Sequence, residues 1–126
     1  MIAADTDVLI DFLSGVEPVT AQIAGYVAAD QLQTTAVTCF ELLSGAGEGK
    51  SGDAIRRLIA GLPVLALDRE AAERAARVRR ELEHAGQTIG MADSLIAGIA
   101  LAHGVRLFTR NRKHFERVAN LKLVDP

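Results

Sequence analysis

The chain has no tryptophan, one tyrosine, four phenylalanines and a single cysteine, Cys39. One cysteine cannot close an intramolecular disulfide, and it rules out a zinc site built from a cysteine cluster. It fits a reducing cytoplasm, which is the expected location. With three prolines and 11 glycines, the chain is neither collagen-like nor a Pro-rich disordered tract. Long apolar runs are missing too. The best stretch, Leu95 to Leu101, is short and broken by Gly98, as befits a helix of a water-soluble domain rather than a bilayer span. No basic segment leads into an apolar run at Met1, so no signal peptide and no membrane association are expected. There are no internal repeats. A net charge of −2 argues against strong non-specific binding to nucleic acid.

What is present suffices for a core. A chain of 126 residues with 49% hydrophobic content reads as one domain, residues 1–126. The charge is uneven, because Arg106, Arg110, Arg112, Lys113, His114 and Arg117 crowd the C-terminal region. They read either as a solvated loop and helix face or as a basic rim suited to a polyanionic substrate.

Apolar runs bounded by turn signals alternate with helical patterns, which predicts parallel βαβ units. Strands are expected at Ile2–Ala4, Gln31–Thr35, Leu62–Leu67 and Val105–Thr109, with a fifth candidate at Leu121–Val124. Helices are expected at Asp7–Leu13, Pro18–Ala29, Val37–Leu43, Ser51–Ala60 and Met91–His103, with a long one from the Asp68 cap to His84. Gly45, Gly47 and Gly49 read as a connection between helices. They do not form a phosphate-binding loop, because the upstream glycine that Gly49-Lys50-Ser51 would need is Ser44. The expected architecture is α/β: a three-layer sandwich with a central, mostly parallel sheet flanked by helices.

The chemistry sits in acids that stand among apolar neighbours. Asp5 follows the first strand, Glu41 lies within Val37–Leu43, and Asp93 lies in the first turn of the helix from Met91. Each has an ordinary explanation alone: a helix cap, an exposed stripe, a favourable dipole. Together with Asn111 after the fourth strand, they point to one edge of the sheet, where such folds bind ligands. Carboxylates gathered there repel one another unless a cation intervenes. Hard oxygen donors suit Mg²⁺, with Mn²⁺ a substitute, and a metal-activated water can attack a phosphodiester.

These residues resemble a known family. Asp5-Thr6-Asp7-Val8-Leu9-Ile10 is similar to the Asp-Thr-Asn-Val-Leu-Ile opening of PIN domains, specifically the VapC toxins of bacterial toxin–antitoxin pairs. The stretches Thr35–Ala46, Ile89–Ala97 and Leu107–Phe115 resemble the second, third and fourth motifs, in order and across nearly the whole chain. The resemblance implies a Mg²⁺-dependent endoribonuclease in which Asp5, Glu41 and Asp93 are catalytic and hold the metal. Asn111, Asp7 and Thr109 are auxiliary candidates, and Arg110, Arg112, Lys113 and His114 are candidate RNA contacts. The resemblance also implies a VapB-like antitoxin, with Phe40, Leu42 and Leu43 as its candidate contacts, and a homodimer. Two departures stand out. Asp7 occupies a position where Asn is commoner, and neither Asn111 nor His114 supplies the acid that the fourth motif often carries.

Two other readings account for part of the pattern. Asp5-Thr6-Asp7 also fits the Asp-x-Asp opening of haloacid-dehalogenase-like phosphatases, with Asp5 as nucleophile and Asp7 as general acid/base. That chemistry needs a positioned lysine, and Lys50, Lys113 and Lys122 are the only lysines. It also leaves Glu41 unused. A non-catalytic PIN-like module binding RNA or a partner is the other reading, and retention of Asp5, Glu41 and Asp93 argues against it.

Overall fold

The structure is a computed structural model and describes residues 1–125. Four strands form one parallel sheet: β1 (Ile2–Ala4), β2 (Leu32–Thr35), β3 (Val64–Leu65) and β4 (Arg106–Phe108). Their order across the sheet is β3-β2-β1-β4. Around it lie α1 (Thr6–Leu13), α2 (Val19–Ala28), α3 (Ala36–Gly45), α4 (Lys50–Ala60), α5 (Arg69–His84), α6 (Met91–His103) and α7 (Arg112–Phe115). The expected sandwich is present.

Alternation along the strands decides which layer each side chain joins. Ala3 of β1 and Leu107 of β4 face a core shared with Val78 and Leu82 of α5 and with Ile96 and Ile99 of α6. Ile2, Ala4, Leu32 and Phe108 face the opposite core, with Val8 and Leu9 of α1 and Ile23 of α2. Both faces of the sheet are therefore covered, as a parallel sheet requires.

Helices α5 and α6 form the tightest pair. Ala71, Ala75, Val78 and Leu82 make the buried stripe of α5, spaced at helical period. Gly98 of α6 sits where a Cβ would be 2.6 Å from both the Ala71 carbonyl oxygen and the Ala75 Cβ. Only glycine permits that approach. The cap residues behave as their chemistry predicts. The Asp68 carboxylate accepts the Ala71 amide at 2.9 Å, and Gly104 closes α6 in the left-handed conformation at φ 65°.

Two sequence expectations need correction, and one further element is present. The third strand shrinks from Leu62–Leu67 to the two residues Val64–Leu65. It lies at the sheet edge, and Pro63 has no N–H to offer; its carbonyl instead accepts the Thr34 amide at 3.0 Å. The fifth strand is a single bridge, Leu123 beside Leu107. Helix α7 was not foreseen. It is one turn, and fully buried Phe115 pins it to the core. Among the described residues, no helix is long and apolar enough to cross a membrane.

Candidate active site

The chain runs from β1 outward to β2 and β3, then crosses back to lay β4 on the other side of β1. The β1/β4 boundary is thus the switch point, and folds of this kind bind ligands there, outside the carboxyl ends of the strands. Asp5 stands there, directly after β1, with Thr109 directly after β4. The Asp5 amide donates to the Phe108 carbonyl at 2.9 Å and locks the two strand ends together.

Asp5 is 6% exposed. One carboxylate oxygen accepts the Thr6 amide at 2.8 Å and so caps α1. The other accepts the Thr109 hydroxyl at 2.7 Å. Burial pushes the Asp5 carboxyl up from 3.8 to about 6. The hydrogen bonds from Thr109 and Thr6 oppose this rise, while the charges of Asp7 and Asp93 add to it.

Asp93 lies in the first turn of α6 and faces Asp5 closely enough to act on its charge. Its Oδ2 accepts the Asn111 side-chain amide at 3.1 Å and lies 3.1 Å from His114 Nδ1. Glu41, in the second turn of α3, accepts the Thr6 hydroxyl at 2.7 Å. The Thr38 hydroxyl lies 3.2 Å from that of Thr6. Asp5, Glu41, Asp93 and Asn111, expected to meet, are therefore joined at one edge through Thr6, Thr109 and each other.

Asp7 does something else. Its two oxygens accept the Arg110 backbone N–H at 3.2 and 3.1 Å, with the Thr109 hydroxyl at 3.4 Å. One turn further along α1, buried Asp11 pairs with Arg110 Nε at 2.8 Å. Asp7 and Asp11 together clamp the loop after β4. A carboxylate tied to a backbone amide in this way does not fit the general acid/base of the phosphatase reading.

Other expectations shift. Arg112 is no free RNA contact, because its Nη1 donates to the Val124 carbonyl at 2.6 Å and holds the C-terminal segment. Arg110 is exposed but held by Asp11, and Lys113 is exposed. His114 is partly exposed and lies against Asp93 of the acidic site. Leu42 cannot meet a partner, since it is 4% exposed and packs in the α1/α2 core. Phe40, 70% exposed, and Leu43 do face outward. Phe40 borders an apolar groove of about 330 Å³ with Leu67, Met91 and Leu95, directly beside Glu41.

Sequence reasoning missed Thr6, Thr38 and Asp11. The signals were there: Thr38 lies three residues before Glu41, and Asp11 four after Asp7, each pair on one helix face.

The donors suit a hard divalent cation: carboxylates gathered at a sheet edge, one of them buried and strained by its neighbours' charge. Among the described residues, no three His, Cys, Asp or Glu side chains yet converge on one point. The geometry accounts for this, since Glu41 and Asp5 are turned to threonine hydroxyls and Asp93 to Asn111.

The sequence profile of the PIN domain matches residues 2–121. A tRNA(fMet)-specific endonuclease VapC of Shigella flexneri is 33% identical over 95 residues, 72% of either chain. VapC ribonuclease Y4jK of Sinorhizobium fredii is 32% identical, covering 100% of this chain and 97% of its own. Among solved structures, VapBC-1 from nontypeable Haemophilus influenzae superposes with a TM-score of 0.82 at 29% identity, covering 99% of this chain and 98% of that one. Matching profile, relatives and fold agree with the cluster of acids at the sheet edge: the chain belongs to the PIN-domain family, among its VapC members.

Proposed function

We propose that this protein is a divalent-metal-dependent endoribonuclease that acts in the cytoplasm as the toxin of a toxin–antitoxin pair. The observation that carries the reading is the acidic cluster at the β1/β4 switch point, where Glu41, Asp5 and Asp93 accept hydrogen bonds from Thr6, Thr109 and Asn111. Its relatives' names support the RNA substrate, and the structural relative's pairing as VapBC supports an antitoxin.

Asp5, Asp93 and Glu41 would hold Mg²⁺ or Mn²⁺. When bound there, the ion supplies Lewis-acid stabilisation of phosphodiester charge and makes water more acidic. The chain's own residues do the positioning. Thr6 orients Glu41, Thr109 orients Asp5, and Asn111 orients Asp93. Asp7 and Asp11 fix the loop that presents Thr109 and Asn111. Exposed Lys113, and Arg110 once released from Asp11, supply positive charge for the RNA backbone beside these acids. The antitoxin covers the apolar rim around Phe40 and Leu43, next to Glu41. The resemblance adds a homodimer, which sedimentation of the purified chain would test.

The deciding experiment is incubation of purified protein with total cellular RNA, with Mg²⁺, with Mn²⁺ and with chelator, beside the Asp93→Asn variant. Discrete fragments that need both metal and Asp93 are the expected result. Equal cleavage by Asp93→Asn, or cleavage in chelator, would overturn the reading.

A further inference from the structure

Among the described residues, the buried hydroxyl side chains are Thr34, Thr35, Thr38, Ser94 and Thr109. A buried hydroxyl costs stability unless it is hydrogen-bonded, so each needs a partner that matters. Thr34 donates to the Ala4 carbonyl at 2.8 Å and ties β2 to β1. Thr35 accepts the Thr38 amide at 3.1 Å and caps α3. Ser94 donates to the Gly90 carbonyl at 3.1 Å, and Thr109 donates to Asp5. Thr38 is the exception. It is 0% exposed, and its hydroxyl bonds to no backbone group and to no acid among the described residues, only to the hydroxyl of Thr6.

That bond has one possible direction. Thr6 has a single hydroxyl hydrogen, and its oxygen stands 2.7 Å from a Glu41 oxygen, which while ionised only accepts. The Thr6 hydrogen therefore goes to Glu41, and the 3.2 Å contact is made by the hydrogen of Thr38. The result is a one-way chain from Thr38 to Thr6 to Glu41. A hydroxyl that accepts a hydrogen bond becomes a stronger donor, so Thr38 tightens the bond that Thr6 makes to Glu41. It also fixes where the Thr6 oxygen stays. Thr6 links two acids, since its amide donates to Asp5 at 2.8 Å while its hydroxyl serves Glu41. Nothing in the fold requires an oxygen at position 38, where valine would fill the same space without a polar group to satisfy.

We propose that Thr38 is a positioning residue for the nuclease: acting through Thr6, it fixes the Glu41 carboxylate relative to Asp5. This rests on the metal-dependent reading above. A threonine kept for the fold and one kept for the site answer differently to the same two substitutions. Thr38→Val deletes the hydroxyl and keeps the volume. Thr6 is only partly buried, so water can replace the lost donor without cost to the fold. Thr38→Ser keeps the hydroxyl and deletes a buried methyl, which costs stability.

The test compares wild type, Thr38→Val, Thr38→Ser and Glu41→Gln as full chains. Urea unfolding is followed by circular dichroism, Mn²⁺ affinity by calorimetry, and the initial rate of fragment formation from total cellular RNA at saturating Mn²⁺. Thr38→Val should unfold at a urea concentration no lower than wild type, yet bind Mn²⁺ and cut RNA about tenfold less well. Thr38→Ser should unfold earlier, yet regain most of the affinity and rate. A purely structural threonine cannot produce that crossed order. Wild-type affinity and rate in Thr38→Val, or losses in the two variants that follow their urea stability, would overturn this inference; slow cutting by Glu41→Gln would leave the metal-dependent reading standing. No saturable Mn²⁺ binding to wild type, or cleavage that persists in chelator, would overturn both.

Discussion

Asp5 carries a cost that the fold accepts for its position. Its carboxyl, pushed to about 6 by burial and by the charges of Asp7 and Asp93, is easier to protonate in the folded chain than in the unfolded one. The protonated form therefore favours the fold. The cost is absent below about pH 4, grows as pH rises to about 6, and is complete above that, at about 3 kcal/mol. Asp5→Asn removes the charge. The stability gap between variant and wild type, from urea melts without metal, should widen from pH 4 to pH 7.5, and a divalent ion should narrow it at pH 7.5. A gap independent of pH would show that Asp5 is not charged against its surroundings. Asp7 makes a different prediction. Asp7→Ala leaves the Arg110 amide unanchored, and turnover should fall roughly 10–100-fold through misplacement of Thr109 and Asn111. Metal affinity, measured by calorimetry, should change far less than in Asp93→Asn.

At the scale of elements, α6 matters most, because it carries Asp93 at one end and packs along α5 through Gly98. A methyl at Gly98 would strike the backbone of Ala71 and Ala75, not a side chain that could swing away. Gly98→Ala should cost about 2–3 kcal/mol in thermal or denaturant unfolding. Cleavage should fall with it, since moving α6 moves Asp93. The boundaries of α6 were legible in the sequence, because a helix rich in Ala and closed by Gly104 is a local pattern. The length of β3 was not. Leu62–Leu67 is apolar enough for a strand, but an edge position and Pro63 leave only two residues to pair.

For the whole molecule, the exposed apolar rim beside Glu41 is the feature that an isolated enzyme would not need. Phe40→Asp should weaken antitoxin binding at least tenfold in a pull-down or calorimetric assay. Free toxin activity should stay measurable, since Phe40 points away from the core. Undiminished antitoxin binding would move the docking face elsewhere, with the apolar groove between α1 and α4, lined by Ile10, Leu13 and Ile55, the next to try.

The sequence by itself determined the class of fold, the order of its elements, the Asp68 cap and the acids Asp5, Glu41 and Asp93. These depend on periodicity, capping and motifs, which are local. Only the tertiary structure decided what those residues touch. Laying β4 beside β1 brings Arg110 to Asp7 and Thr109 to Asp5 across more than a hundred residues. The same packing turns Leu42 inward while its neighbour Phe40 faces out, and ties Arg112 to Val124 instead of leaving it for RNA. It also sets His114 against Asp93. A short sequence window carries no record of such contacts, because each depends on which strand ends become neighbours when the sheet assembles.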